Sequence, residues 1–186
     1  MQKLKIVMTG DSSTGKTALL RRYCDGKFDQ TFASTTVEIE FKIKNIKISR
    51  RNIQLIIWDL PGQYRYRAIT PNCVRNSRGV VIVYDVTNRS SFDAVNTWFR
   101  FVNDYSPECT PVILVGNKSD QVLNREVTTK EGEMKAENFG MYFVETSAKD
   151  GQNVADIFRL LVGAALENPD LPIIAGIEIH KKPDTN

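Results

Sequence analysis

Gly10-Asp11-Ser12-Ser13-Thr14-Gly15-Lys16-Thr17 is the stretch on which the reading of this chain turns. Before it runs Leu4 to Met8, a compact apolar segment of the kind buried on both faces of a parallel sheet. After it, Lys16 to Tyr23 carries apolar residues at helical spacing. A strand, a glycine-flanked loop and a helix opening on lysine and a hydroxyl form a phosphate cradle. Backbone N–H groups must come close to phosphate oxygens, so glycines belong at the tight points. The helix N-terminus adds positive potential, Lys16 can neutralise terminal phosphates, and Thr17 can ligate Mg²⁺. The bland alternative is a chance glycine-rich turn. It leaves the fixed lysine, the hydroxyl and the strand-to-helix context unexplained.

Working outward, Gly79 to Tyr84 and Val112 to Val115 are further buried-strand runs. Val37, Ile39, Phe41 and Ile43 alternate with Glu38, Glu40 and Lys42, which predicts a half-exposed strand near a sheet edge. Arg50-Arg51-Asn52 is a turn signal before Ile53 to Trp58, so these two runs predict a hairpin. Tyr142 to Val144 is a last short strand. Ser91 to Tyr105, Thr129 to Asn138 and Val154 to Glu167 read as helices. The alternation predicts a doubly wound α/β sheet, mostly parallel with one antiparallel strand and helices on both faces.

The whole chain has 186 residues, of which 41% are hydrophobic, enough to bury a core and exclude a wholly disordered chain. A net charge of +3 argues against a dedicated nucleic-acid binder. Arg65, Arg67, Arg75 and Arg78 are better read as a solvated face. The three cysteines, Cys24, Cys73 and Cys109, make no disulfide framework and point to a reducing, cytoplasmic setting. No secretory signal or membrane-spanning run is evident. His180 stands alone, Trp98 and Phe99 read as core, and Cys24 reads as a small buried hydrophobe.

Three further motifs follow strands. Asp59-Leu60-Pro61-Gly62-Gln63 places a carboxylate where open α/β sheets bind ligands. Asp59 can hold Mg²⁺ through a water, Gly62 can offer an N–H to a terminal phosphate, and Gln63 can orient an attacking water. Asn117-Lys118-Ser119-Asp120 supplies a carboxylate for a purine carrying N1–H and N2–H₂ donors, which adenine lacks. Asn117 can tie that loop to the phosphate loop, and the Lys118 stem can cover the base. Ser147-Ala148-Lys149 can present a backbone N–H to the base O6. Each of these is weak alone; their order after a phosphate loop makes the set specific.

With these motifs the chain resembles the Ras superfamily of small GTPases, and the Rab branch within it, over about residues 3–166. Ile56-Ile57-Trp58-Asp59, Arg65 to Thr70, Ile82 to Thr87, Ser91-Phe92 and Val95 to Trp98 carry the Rab-like resemblance. It implies a Ras-like P-loop NTPase domain over residues 1–167, followed by a proline-containing tail over 168–186. It also implies a monomeric switch that binds GTP or GDP with Mg²⁺, hydrolyses GTP slowly and serves vesicle traffic. Lys16 and Gln63 would be catalytic. The nucleotide would lie on Asp11, Ser12, Ser13, Thr14, Gly15, Lys16, Thr17, Ala18, Phe28, Thr35, Thr36, Gly62, Asn117, Lys118, Asp120, Ser147, Ala148 and Lys149, with Phe28 stacked on the guanine. The metal would take Thr17, Thr36 or Thr35, and Asp59 through water. Exchange factors, GTPase-activating proteins and effectors would meet two switch segments, about Asp29 to Glu40 and Asp59 to Arg75.

The departures are local. The segment Phe28 to Phe41 is one residue longer than the family spacing, so counting forward selects Thr35 and counting back selects Thr36, the favoured choice. Glu38 replaces a glycine, Pro61 an alanine and Tyr64 a glutamate, and Ser13 and Thr14 replace Gly and Val. Cys73-Val74 stands in place of a Tyr-Tyr pair, which predicts an unusual effector surface. These changes keep a second reading open: a GTP-binding module with negligible hydrolysis, one domain of a longer chain. No cysteine follows Cys109, so prenylation would need residues outside this sequence, and endomembrane attachment depends on an anchor elsewhere.

Overall fold

The coordinates, a computed structural model, describe residues 2–29, 39–48, 51–62, 71–75, 77–107 and 109–166. Six strands form one sheet: β1 (Gln2–Thr9), β2 (Glu40–Ile48), β3 (Arg51–Asp59), β4 (Gly79–Asp85), β5 (Val112–Asn117) and β6 (Tyr142–Glu145), in spatial order β2-β3-β1-β4-β5-β6. Only β2 and β3 pair antiparallel; the other neighbours are parallel. The helices are α1 (Lys16–Asp25), α2 (Pro71–Val74), α3 (Arg89–Asp93), α4 (Val95–Tyr105), α5 (Thr129–Phe139) and α6 (Val154–Ala165).

The buried runs of the sequence are the central strands. Every residue of β4 is buried, as a strand covered on both faces must be. One core layer joins Leu4, Ile6 and Met8 of β1 to Leu19 and Leu20 of α1 and to Ile157, Phe158 and Leu161 of α6. The opposite layer joins Val7, Val80 and Ile82 to Val95, Trp98 and Val102 of α4 and to Ala136 of α5. Strand order reverses beside β1, and the Gly10–Thr17 loop leaves its C-terminal end there, at the switch point where such sheets bind ligands.

Three expectations need correction. Ser91–Tyr105 is not one helix; α3 ends at Asp93 and α4 starts at Val95. The Asn88 side chain caps the Ser91 N–H, and the Ser91 hydroxyl accepts from Asp85 N–H at 3.0 Å, pinning a short turn to the end of β4. A tight turn at Ala94 then lets α4 bury its own apolar stripe.

The β2 edge strand is half-exposed as expected, but with its faces reversed. Phe41 and Ile43 are 54% and 53% exposed, while Lys42 and Lys44 lie half-buried against α1. Lys42 pairs with Asp25 at 2.6 Å, and Lys44 donates to the Tyr23 carbonyl with its ammonium 4.1 Å from the Tyr23 ring centre. Lysine stems can cover apolar surface while their charges find partners. Cys24, read as buried, is half-buried against the α1–α6 core.

Candidate functional site

The phosphate loop depends on two close approaches. At Gly10 (φ +131°) a Cβ would stand 2.2 Å from the Val83 carbonyl oxygen, and at Gly15 (φ +93°) 2.2 Å from Asn117 Nδ2. Neither site accommodates a side chain, and both use backbone open chiefly to glycine. Ser13 also sits in the left-handed region, at φ 64°, where a non-glycine residue carries a cost of about 1 kcal/mol. Thr14 Oγ1 donates to the Asp11 carbonyl at 2.9 Å and closes the loop on itself. The Ser12 hydroxyl is buried without a hydrogen-bond partner among the described residues.

Lys16 is 5% exposed, and its ammonium donates to the carbonyls of Gly10 at 2.9 Å and Asp11 at 2.7 Å. Burial pushes its pKa down to about 8, against the opposing pull of Asp59 and Asp11. An arriving phosphate supplies the negative charge that such an ammonium lacks. Thr17 donates its hydroxyl to Asp59 Oδ2, while Asp59 Oδ1 is buried without a partner among the described residues. Burial raises the Asp59 carboxyl despite the Thr17 hydrogen bond and the Lys16 charge. A hydroxyl beside a fully buried carboxylate with one unsatisfied oxygen suits a hard divalent cation such as Mg²⁺, whose charge offsets the burial. Ala18 packs half-buried behind them, and Gly62 lies against the Asp11–Ser12 backbone. Pro61 is buried beside it.

The base motif meets the phosphate loop directly. Asn117, 1% exposed at the end of β5, donates from Nδ2 to the Thr14 carbonyl at 2.9 Å. Its Oδ1 accepts from Thr146 Oγ1 at 3.2 Å and from the Ala148 N–H at 3.3 Å. Lys118 donates to the Ser13 carbonyl at 2.9 Å and pairs with Asp85 at 2.6 Å. Ser147 Oγ donates to Asp120 Oδ1 at 2.7 Å and accepts from the Asp150 N–H at 3.0 Å, which orients the carboxylate. Phe28 packs half-buried on the core beside α1. Lys149 is exposed. Thr35, Thr36, Gln63, Tyr64 and residues 168–186 lie outside the described residues.

Contacts made by Trp98 and by Asp85 escaped the sequence reading. Trp98 is core, as expected, but its indole N–H donates to Asp11 Oδ1 at 2.7 Å and ties α4 to the phosphate loop. That bond spans 87 positions, and no local pattern signals it. Asp85 holds Lys118 from the C-terminal end of β4; the rule that placed Asp59 could have found it.

The Ras family model matches residues 5–167. Ras-related protein SEC4 of Saccharomyces cerevisiae is 40% identical over 174 residues, covering 94% of this chain and 80% of the yeast protein. Ras-related protein Rab-3C of Bos taurus is 44% identical over 158 residues (85% of this chain, 69% of the bovine protein), and Ras-related protein Rab-12 of Homo sapiens is 39% identical over 173 residues (92% and 70%). A glycine-flanked loop opening a helix at the switch point, the Asn117–Asp120 and Ser147–Lys149 loops tied to it and relatives at this level together make the assignment: this chain belongs to the Ras family, on its Rab-like branch, and is a GTP-binding switch that hydrolyses GTP.

Proposed function

We propose that GTP and GDP lie along the groove from Lys16 to Asp120, with Mg²⁺ held by Thr17, by Thr36 (or Thr35) and by Asp59 through a water. The observation that carries this is the Thr17–Asp59 contact, with a buried carboxylate oxygen that has no partner among the described residues and that feels the charge of Lys16. Lys16 leaves its carbonyl partners for the terminal phosphates, and Asp120 accepts from guanine N1–H and N2–H₂. Ala148 N–H, held loosely by Asn117 Oδ1, turns to O6. The metal, when bound, neutralises phosphate charge. Gln63 orients the attacking water, so hydrolysis rests on positioning and electrostatics.

The outward face of the β2–β3 edge is the proposed partner surface. Phe41 stacks on Trp58 at 5.3 Å, Ile43 is opposite Ile56, and Lys5 lies over the Trp58 ring at 5.1 Å. Cys73, in the place of a tyrosine, is 8% exposed and packs inward, so this surface lacks the aromatic expected there. Exchange factors, activating proteins and effectors would read this face and the switch segments. Vesicle traffic on endomembranes is the setting the Rab-like resemblance implies, with residues 1–167 as the working domain. No helix among the described residues is long and apolar enough to cross a membrane.

Single-turnover hydrolysis of bound GTP tests the reading. Wild type should release phosphate slowly with Mg²⁺, chelation should stop it, and Gln63→Leu should slow it at least tenfold. An unchanged rate in Gln63→Leu would contradict the role given to Gln63 and favour a module without turnover.

A further inference from the structure

Arg22, in the last turn of α1, reaches both loops that would surround the base. Its Nε donates to the Ala148 carbonyl at 2.7 Å, one terminal nitrogen donates to the Lys149 carbonyl, and the other to the Gly26 carbonyl at 3.2 Å. The guanidinium carbon also lies 5.8 Å from the centre of the Phe28 ring. Ala148 is 4% exposed, so its carbonyl has little access to water in exchange. The Ala148 and Lys149 contacts span 126 and 127 positions, and nothing in the local sequence around Arg22 announces them.

The geometry suits arginine specifically. A planar fork presents donors in fixed directions, and here three different nitrogens meet three backbone carbonyls. Two of those carbonyls belong to the loop that carries the Ala148 N–H; the third belongs to the connection that carries Phe28. Among the described residues the Ala148 N–H meets a long contact to Asn117 Oδ1, at 3.3 Å. The peptides immediately after it are therefore fixed by Arg22. The phosphate-side groups, Lys16 and Thr17, sit at the opposite end of the same helix, about 9 Å away by helical rise.

Building on the guanine-binding reading above, we infer that Arg22 is a positioning residue for base recognition. It clamps the O6-facing loop and the Phe28 segment to one rigid helix, so that the edge and the face of the base are met together. It touches neither phosphate nor metal, and its effect falls on the base half of the nucleotide alone.

The test compares GDP with 2-aminopurine riboside diphosphate, which keeps the 2-amino group and both phosphates but lacks O6 and, with it, the N1 hydrogen; the N1 loss falls on Asp120, outside the three carbonyls that Arg22 holds, and is common to every variant. Dissociation constants and release rates are measured with Mg²⁺ on the full chain, for wild type, Arg22→Ala and Arg22→Lys. In Arg22→Ala, GDP should leave about tenfold faster, and the preference for GDP over the O6-less analogue should fall about tenfold. Arg22→Lys keeps the stem and the charge, and hence the fold. One ammonium cannot span three carbonyls, so it should lose most of the same preference. Equal weakening of both ligands, an unchanged preference, or full rescue by lysine would overturn the inference. If wild type failed to prefer GDP over ADP, the guanine reading itself would be wrong, a result separable from any behaviour of Arg22.

Discussion

Replacing Gly62 by alanine probes the seam between the Asp59 segment and the phosphate loop. A Cβ at Gly62 would stand 2.3 Å from Ser12 N, 2.4 Å from the Asp11 carbonyl carbon and 2.7 Å from its oxygen, where ordinary contact begins at 3.4 Å. All three are backbone atoms, so no side chain can swing away. The two segments must part by roughly 1 Å, and overpacking of this kind costs about 1–3 kcal/mol. For a domain of this size each kcal/mol moves the midpoint by about 2–4 °C, so Gly62→Ala should melt about 2–12 °C lower with Mg²⁺–GDP present. A shift of that size in phosphate-contacting backbone should also slow single-turnover hydrolysis on the order of 100-fold. Gly163→Ala is the matched control. Nothing lies within 4 Å of its Cβ position, and it sits inside α6, so it should gain about 0.5–1 kcal/mol. Differential scanning fluorimetry and a phosphate-release assay read both variants. If Gly62→Ala melted within about 1 °C of wild type and kept its rate, the packing argument would be refuted.

Other perturbations report on single contacts. Trp98→Phe removes the indole N–H from Asp11 while keeping most of the buried ring; it should lower stability in urea by about 1–3 kcal/mol and speed GDP release. No loss would mean that the Trp98–Asp11 bond does not brace the loop. Glu131 accepts from Arg89 at 2.7 Å and closes a capping box with Thr128, which together pull its carboxyl down from the usual range to about 2. Its folded value lies below its unfolded one, so its contribution is complete above about pH 4.5 and disappears as pH falls toward 2. The stability difference between wild type and Arg89→Met should therefore narrow across that window; a difference constant from pH 7 to 3 would contradict the pairing.

The parts that sequence shows well are those set by local pattern. The phosphate loop was legible because glycine, lysine and hydroxyl occupy fixed places between a strand and a helix, and β4 because a run of buried apolar residues admits few alternatives. The inverted faces of β2 were not, because Lys42 and Lys44 are polar by composition yet pack their stems on α1, leaving Phe41 and Ile43 outside. The break at Ala94 carries no proline or glycine to announce it, and the Ser91–Asp85 bond that anchors α3 joins it to a strand end rather than to its own helix. Trp98 on Asp11 and Arg22 on Ala148 join residues far apart in the chain, and only the assembled sheet brings them together.

The central claim is that Asp120, oriented by Ser147, selects guanine at a site whose other half is the phosphate loop. Its two charge-assisted hydrogen bonds, at about 1.5–3 kcal/mol each, should favour GDP over ADP by roughly 10² to 10⁴-fold. Competition against a fluorescent GDP analogue, run on wild type and Asp120→Asn with GDP, ADP and xanthosine diphosphate, measures this directly. The account predicts a strong guanine preference in wild type, transferred to xanthine in Asp120→Asn as an acceptor is exchanged for a donor. Comparable binding of ADP and GDP by wild type, or an unaltered preference in the variant, would contradict it.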